Sequence, residues 1–172
     1  YAISTFVAAY RWTDSVEYLA YAREAANFLL RVQETGTDAW VKGAIPHGLT
    51  NPDLKVKRQY YSFDVAMGIQ GLLDLYRVRP EADLLDAARA AGDWLVMQMQ
   101  QSDGAFLSMY DAETGDSQHP GMQFFNDFGC LHAKHAIGLL KLSRATGDQR
   151  YETAARKVCE WALSLQDADG SF

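Results

Sequence analysis

The fold is decided by residues 145–172, which read ATGDQRYETAARKVCEWALSLQDADGSF. Apolar and small side chains recur here at steps of three and four residues, which places them on one face of a helix. We predict that this helix begins after Asp148, a residue type that caps helix N-termini. The Asp-Gly pair near the end is typical of a turn. The stretch therefore predicts an amphipathic helix that is followed by a tight turn.

The same pattern occurs twice more upstream, so the chain contains an internal repeat. An Ala-Arg pair marks each copy, and its arginines are Arg23, Arg89 and Arg156. They lie 66 and 67 residues apart, and an aromatic residue follows each of them after five positions. A glutamine follows that aromatic after five, six and five positions, at Gln33, Gln100 and Gln166. Self-similarity over such a period indicates stacked helical units. We expect repeat units at residues 1–59, 60–123 and 124–172 of a single domain segment.

Each unit resolves into two helices, which we name inner and outer. Besides the outer helix after Asp148, outer helices are predicted at residues 15–34 and 81–101, the first of them with Asp14 and Glu17 as a variant capping box. Inner helices are predicted at residues 62–78 and 127–145, and residues 1–11 have the pattern of the end of an earlier one.

The connections alternate in length. Turns from inner to outer helices are short, whereas residues 35–61 and 102–126 form long connections from outer to inner helices. Long connections without periodicity in a compact domain are usually functional. We therefore expect every elaborated loop on one rim, at the N-terminal ends of the inner helices.

The composition is that of a globular protein. Of its 172 residues, 48% are hydrophobic and 22% are charged, and the net charge is −6. This acidic balance argues against a general nucleic-acid-binding protein, because phosphate binding needs concentrated lysine and arginine. No apolar run approaches the ~20 residues needed to cross a bilayer, so no membrane partner is expected. Two cysteines leave the compartment open, either cytoplasmic or secreted after loss of a signal peptide.

The strings at residues 145–156 and 161–172 resemble the repeats of six-hairpin glycosidases, polysaccharide lyases and uronyl epimerases, which are α/α toroid proteins. The ending Gln166-Asp167-Ala168-Asp169-Gly170-Ser171-Phe172 is also similar to the repeat of squalene cyclases and protein prenyltransferases. The resemblance implies an all-α fold in which helical hairpins circle an axis and inner helices line a cavity. With about two and a half hairpins, the chain is expected to form an incomplete ring. The remainder of the toroid would come from the same longer chain or from a partner chain.

The first long loop and the helix after it carry a candidate ligand-binding cluster. Its members are Trp40, His47, Lys57, Arg58, Tyr60, Tyr61 and Asp64. Cations at a helix N-terminus, where backbone N–H groups already favour anions, suit a carboxylate or sulfate on a ligand. Aromatic rings offer flat surfaces for sugars, and a tyrosine phenol can transfer a proton. The alternative is a solvated loop whose tyrosines pack against the helix tops.

A second cluster precedes and enters the last inner helix. It comprises Phe124, Phe125, Asn126, Asp127 and His132. A carboxylate at the mouth of this helix could act as a general acid or base if burial raises its pKa, or it could simply cap the helix. His132 could likewise be catalytic or a polar core group. Zinc is not expected, because Cys130 and His132 would point about 200° apart on one helix. Phosphate-loop and dinucleotide patterns are absent, so we expect no cofactor.

Taken with the resemblance, these residues suggest an enzyme that acts on an acidic, uronate-containing oligo- or polysaccharide by lyase, epimerase or hydrolase chemistry. Lys57 and Arg58 would neutralise the carboxylate. Trp40, Tyr60 and Tyr61 would form the sugar platform, and Asp64, Phe124, Phe125 and Asn126 would add contacts. Asp127, with His132 or His47, would transfer protons, and Tyr60 could also do so. Two alternatives remain: a relative of isoprenoid cyclases or prenyltransferases with an apolar cavity, and a non-catalytic helical scaffold.

Overall fold

The computed structural model describes residues 1–50, 53, 55–118 and 129–171. Its helices are α1 (Ala2–Thr13), α2 (Glu17–Val32), α3 (Ser62–Val78), α4 (Ala82–Trp94), α5 (Gly129–His132), α6 (His135–Thr146) and α7 (Gln149–Ser164). Its strands are β1 (Gln59–Tyr61), β2 (Met109–Asp111) and β3 (Ser117–Gln118). None of these helices combines the length and the apolar composition that crossing a membrane requires.

The helices form antiparallel pairs of one inner and one outer helix. α1 packs on α2, α3 on α4, and α6 on α7, while the inner helices α1, α3 and α6 lie side by side. The predicted all-α architecture, an incomplete ring of helical hairpins, is confirmed. Since α1 is a helix of 12 residues, the described part of the chain contains three pairs, slightly more than the expected two and a half.

The two long connections are joined to each other by a small sheet that the sequence pattern did not predict. β1 pairs with β2 and β2 with β3, all antiparallel, and Tyr60 lies directly opposite Tyr110. β1 ends at the residue before α3 begins. The sheet therefore holds both loops at the N-terminal end of an inner helix, on the rim where the elaborated loops were expected.

Of the two residues predicted to cap helix N-termini, Asp148 does so and Asp14 does not. Asp148 caps α7, because its Oδ1 accepts a hydrogen bond of 2.9 Å from the Arg150 N–H. Asp14 does not cap α2, whose N-cap residue is Val16. Instead Asp14 ends α1 in the left-handed conformation, with φ of +57°, and its N–H donates to the Tyr10 carbonyl. The short turn between α1 and α2 requires such a residue, and aspartate tolerates this conformation better than most.

Glycines within α3 are explained by packing. A Cβ atom on Gly68 would lie 3.0 Å from Ile45 Cδ1, and one on Gly71 would lie 3.1 Å from Ile3 Cβ. Both glycines therefore let neighbouring elements approach α3 closely, which offsets their poor helix propensity.

The glutamines of the first two repeats join each loop to the next outer helix. Gln33 Nε2 donates to the Gly43 carbonyl at 2.8 Å, within its own loop, and to the Ala87 carbonyl of α4 at 2.9 Å. Gln100 Nε2 makes the corresponding contacts in the second repeat, to the Gly104 carbonyl of its own turn at 3.2 Å and to the Ala154 carbonyl, 67 residues after Ala87, at 2.9 Å. The repeat is thus preserved down to single hydrogen bonds.

A local irregularity makes this equivalence possible. The second repeat has one residue more between its aromatic and its glutamine than the other two. In the structure, α4 continues as a π-helical turn over Leu95–Met99, and the Gln100 N–H donates to the Leu95 carbonyl five residues earlier. Because a π turn accommodates one extra residue, Gln100 reaches the next repeat as Gln33 does.

Variants of Gln100 and Gln166 distinguish the hydrogen bond to the next outer helix from the hydrogen bond within the glutamine's own turn. Gln100→Ala removes both hydrogen bonds of a half-buried amide and should lower the free energy of unfolding by about 1–3 kcal/mol. Gln166 is the matched control: its Nε2 donates to the Gly170 carbonyl of its own exposed turn. Gln166→Ala should change the free energy by less than about 0.5 kcal/mol. Urea titrations of both variants measure the difference, and equal losses would contradict this account of the repeat contact.

Candidate active site at the rim

A histidine and an aspartate form a close pair at the mouth of α3. His47 Nδ1 lies 2.6 Å from Asp64 Oδ2. A carboxylate only accepts hydrogen bonds, so we assign the proton to Nδ1 and leave Nε2 for a ligand. The side chains are 44% and 34% exposed, so a ligand can reach them. This arrangement, in which a carboxylate orients an imidazole, is suited to proton transfer.

The backbone places His47 at this position. Its N–H donates to the Gln59 carbonyl at 2.8 Å, and the Lys57 N–H donates to the Gly48 carbonyl at 2.9 Å. These bonds join the segment around His47 to the strand that leads into α3. Asp64 belongs to the first turn of α3, where the helix dipole favours a negative charge.

Aromatic rings surround the His47–Asp64 pair. The Tyr61 ring lies 4.6 Å from the His47 ring, centroid to centroid. Tyr1 lies 6.4 Å from Phe63, and its phenol has a raised pKa because of partial burial and the nearby charge of Asp64. Tyr1 was not among the predicted site residues; it is far from the loop in sequence and approaches it through the packing of α1 on α3.

The structure separates the two adjacent tyrosines that were predicted to form one platform. Tyr60 is fully buried, with its ring 6.0 Å from Trp94, and its hydroxyl donates to Glu34 Oε1 at 2.5 Å. Burial and this hydrogen bond raise the pKa of Tyr60. Neighbouring residues of a strand point to opposite faces, so only Tyr61 faces the His47 side. The burial of Tyr60 argues against the predicted roles of sugar platform and proton donor, which stay predictions.

The predicted cation pair is also divided. Arg58 Nη2 lies 3.3 Å from Asp38 Oδ2, and Arg58 Nε lies 3.7 Å from Glu34 Oε1. Its guanidinium is therefore largely neutralised within the protein. The Lys57 side chain is exposed beside the His47 segment. Glu34 and Asp38 were not among the residues predicted from the sequence, and both lie in the loop after α2.

Trp40 was predicted to form part of the sugar platform, but it lies apart from the His47–Asp64 pair. Its ring stacks on Tyr110, with centroids 5.8 Å apart and the planes inclined by 20°. Tyr110 is the strand partner of Tyr60, so this stack belongs to the opposite face of the sheet from Tyr61.

The second predicted cluster is only partly described. Phe124, Phe125, Asn126 and Asp127 lie outside the described residues, so their predicted roles remain predictions. His132 is 2% exposed, and its ring stacks on His135 at 5.1 Å and approaches Trp161 at 5.3 Å. A buried ring in this packing does not face a ligand at the rim, which argues against a catalytic role for His132. Within the described ranges no three His, Cys, Asp or Glu residues are grouped as a metal would require.

His135 and Ser62 form a further pair between α6 and α3. His135 Nδ1 donates to the His132 carbonyl at 2.8 Å, so its Nε2 accepts from Ser62 Oγ at 3.0 Å. His135 also stacks on Phe106 with centroids 4.7 Å apart. Both residues of the pair are at most 1% exposed, so no substrate can reach them and their role is structural.

No family model matches the sequence, and no curated protein matches it. Solved structures do. A D-mannose isomerase matches with a TM-score of 0.79 and 17% identity over 99% of this chain and 45% of its own. The chain has the fold of part of an α/α toroid.

Two further α/α toroid structures show the same relationship. A GH76 alpha-mannanase from Bacteroides thetaiotaomicron matches with a TM-score of 0.75 and 22% identity, over 94% of this chain and 42% of its own. An unsaturated glucuronyl hydrolase specific for heparin matches with a TM-score of 0.68 and 17% identity, over 96% and 44%. The chain thus spans less than half the length of these α/α toroid proteins, and identities this low establish the fold alone.

Proposed function

We propose that this chain contributes part of the active site of a carbohydrate-active enzyme, and that the His47–Asp64 pair transfers a proton in its reaction. The observation that carries the proposal is the 2.6 Å contact between His47 Nδ1 and Asp64 Oδ2, half-exposed at the mouth of an inner helix. The fold supports a carbohydrate substrate, because the matching structures are named as a mannanase, a mannose isomerase and a glucuronyl hydrolase. The polar, charged mouth favours this function over an apolar cavity for isoprenoids.

The pair supports several reactions that share one step. Elimination from a uronate and epimerisation both begin when a base removes a proton beside a carbonyl or carboxylate, whereas hydrolysis requires an acid at the leaving oxygen. In each of them His47 Nε2 would hold or accept the proton while Asp64 orients the ring. Tyr61 would contact the sugar beside it. A second acid or base is needed, and Asp127 remains our proposal for that role.

A uronate is the substrate class that we propose within this function. The Lys57 ammonium is exposed, and Lys134 Nζ lies 5.9 Å from the Phe63 ring, next in sequence to Asp64. Either cation could meet a carboxylate at the rim. Arg58 would contribute less than predicted, because Asp38 and Glu34 already compete for its guanidinium.

We propose that the rest of the toroid, from a longer chain or a partner chain, packs against the last hairpin. Leu140 of α6 is 40% exposed, whereas Leu73, its equivalent one repeat earlier, is 5% exposed. Gly43 and Gly104 press against the following outer helix, whereas a Cβ on Gly170 would meet, among the described residues, only Gln166 within 4 Å. Both comparisons describe a face that a further hairpin could cover.

Activity assays on the full-length protein test the function. The substrates are mannose, manno- and cello-oligosaccharides and an unsaturated glucuronyl disaccharide, with products followed by NMR. His47→Ala and Asp64→Asn should each lower kcat/KM at least about 100-fold on the substrate that is turned over. Asp116→Asn, at an exposed position of the β2–β3 turn, should have no effect. The proposal is overturned if none of these sugars reacts, or if both site variants keep full activity.

A further inference from the structure

A pocket opens on the face of the rim sheet that lies away from Tyr61. Its volume is about 490 Å³, within the range of small-molecule sites. The residues that line it are Trp40, Gln98, Met99, Gln101, Leu107, Tyr110, Gly115 and Ser117. They come from the first long loop, the end of the second outer helix and the second long loop, so the pocket is a product of tertiary packing.

The pocket is separate from the His47–Asp64 pair. Tyr60 and Tyr110 are paired residues on β1 and β2 and therefore lie on one face of the sheet, whereas Tyr61 lies on the other. Trp40 stacks on Tyr110 and belongs to the first face. A ligand in this pocket would not touch His47.

The lining has the chemistry that binds a sugar ring. The Trp40 and Tyr110 rings present apolar surface, and the Gln98 and Gln101 amides and the Ser117 hydroxyl can bind hydroxyl groups. Among the described residues, none that lines the pocket carries a charge. A carbohydrate has an apolar C–H face and a periphery of hydroxyls, which matches both parts. This lining favours a neutral sugar over a uronate, because none of the described residues that form it would offset the desolvation of a carboxylate.

Trp40 is held in position before any ligand binds. Its carbonyl accepts a hydrogen bond of 2.8 Å from Trp94 Nε1, and its N–H donates to Asp38 Oδ1 at 3.1 Å. Its stacking on Tyr110 orients the ring, yet Trp40 remains 56% exposed. An anchored aromatic ring that stays in water is preorganised for a ligand, since little side-chain freedom is lost on binding.

We propose that this pocket is a second, non-catalytic carbohydrate site, in which a neutral sugar residue packs on Trp40 and bonds to the surrounding amides. The choice of a carbohydrate rests on the proposed function, whereas the location and the preference for a neutral sugar rest on the pocket itself. Such a site would hold a chain of the polysaccharide against the rim while another part of it reaches the His47–Asp64 pair.

Titrations followed by the tryptophan indole N–H signals in NMR test this site. The probes are mannotriose, cellotriose and trigalacturonate, and Trp40→Phe assigns the Trp40 signal. A neutral trisaccharide should shift that signal saturably, with a Kd on the order of millimolar. Trigalacturonate should bind at least about tenfold more weakly. Tyr110→Ala should weaken binding by a similar factor, whereas Trp12→Ala, which removes an exposed tryptophan of α1, should not.

The outcomes separate this site from the proposed function. His47→Ala should leave the Trp40 titration unchanged, so binding without turnover would refute the enzyme and not the second site. Absence of a shift with every trisaccharide would overturn the proposal, as would equal binding of neutral and acidic probes. Binding that persists in Trp40→Ala, detected by the remaining indole signals and by calorimetry, would also overturn it.

Discussion

Gly43→Ala and Gly104→Ala are each expected to destabilise the protein by about 3–5 kcal/mol, enough to leave a marginally stable domain largely unfolded. A Cβ on Gly43 would lie 2.1 Å from the Ala90 carbonyl oxygen, and one on Gly104 would lie 2.5 Å from the Lys157 carbonyl oxygen. Both obstacles are helix backbone, which cannot move without breaking the contact between repeats. In addition, φ is +90° at Gly43 and +100° at Gly104, a region where other residues are strained.

Gly170→Ala provides the matched control for these variants. Gly170 has a similar φ of +87°, but its Cβ would be 3.9 Å from Gln166 Nε2 and would meet no other atom of the described part of the chain within 4 Å. This variant should cost only the backbone strain, about 1–2 kcal/mol at most in a turn that is free to adjust. Urea titrations monitored by circular dichroism give the free energies of unfolding. If all three glycines cost the same, backbone conformation and not the contact between repeats is responsible.

The second large effect is a loss of stability at acid pH that originates at His135. Burial, with the adjacent charge of His132, lowers the pKa of His135 from 6.5 to about 3. The folded protein therefore binds fewer protons than the unfolded chain between these values, and stability falls as the pH falls from 6.5 toward 3. The loss is about 1.4 kcal/mol per pH unit, or about 2 kcal/mol at pH 5. Its physical cause is burial: among the described residues, the contacts of His135, which include Ser62 and Phe106, provide no charged partner that can offset the buried charge.

His135→Gln tests this assignment. Glutamine can still bond to Ser62 Oγ and the His132 carbonyl but does not titrate, so the variant should be less stable at pH 7 because it loses the stacking on Phe106. Between pH 6 and pH 4 its free energy of unfolding should depend less on pH than that of the wild type, by about 1.4 kcal/mol per unit. Carboxylates contribute equally to both proteins. Parallel pH profiles would show that His135 is not the residue that titrates.

Local patterns in the sequence predicted the helices well. The inner helix expected at residues 62–78 is α3, Ser62–Val78, and the cap at Asp148 is present. These succeed because helical periodicity and capping depend on residues only a few positions apart. The prediction that Asp14 caps α2 was wrong, because the tight turn to α2 requires a left-handed residue at the end of α1. The local sequence did not show whether Asp14 would end α1 or begin α2.

The candidate site could be predicted only in its residue types. His47, Tyr61 and Asp64 were all expected at the rim, but their grouping depends on a three-residue strand too short to leave a pattern. That strand turns Tyr60 inward to Glu34 and Tyr61 outward to His47. The neutralisation of Arg58 could not be foreseen either, because its partners Glu34 and Asp38 lie about 20 residues earlier, near the start of the same long loop.

The sequence by itself determined that this protein is a helical repeat with long loops on one rim. The repeat period, the apolar helix faces and the turns can all be recognised from the spacing of residues along the chain. The extra residue before Gln100 is also visible in the sequence, as a spacing of six residues between Trp94 and Gln100. Only the tertiary structure decided that a π turn absorbs it and which side chains meet across the loops. The reason is physical: a side chain's partners follow from sheet pairing and helix packing, which join residues far apart in the chain.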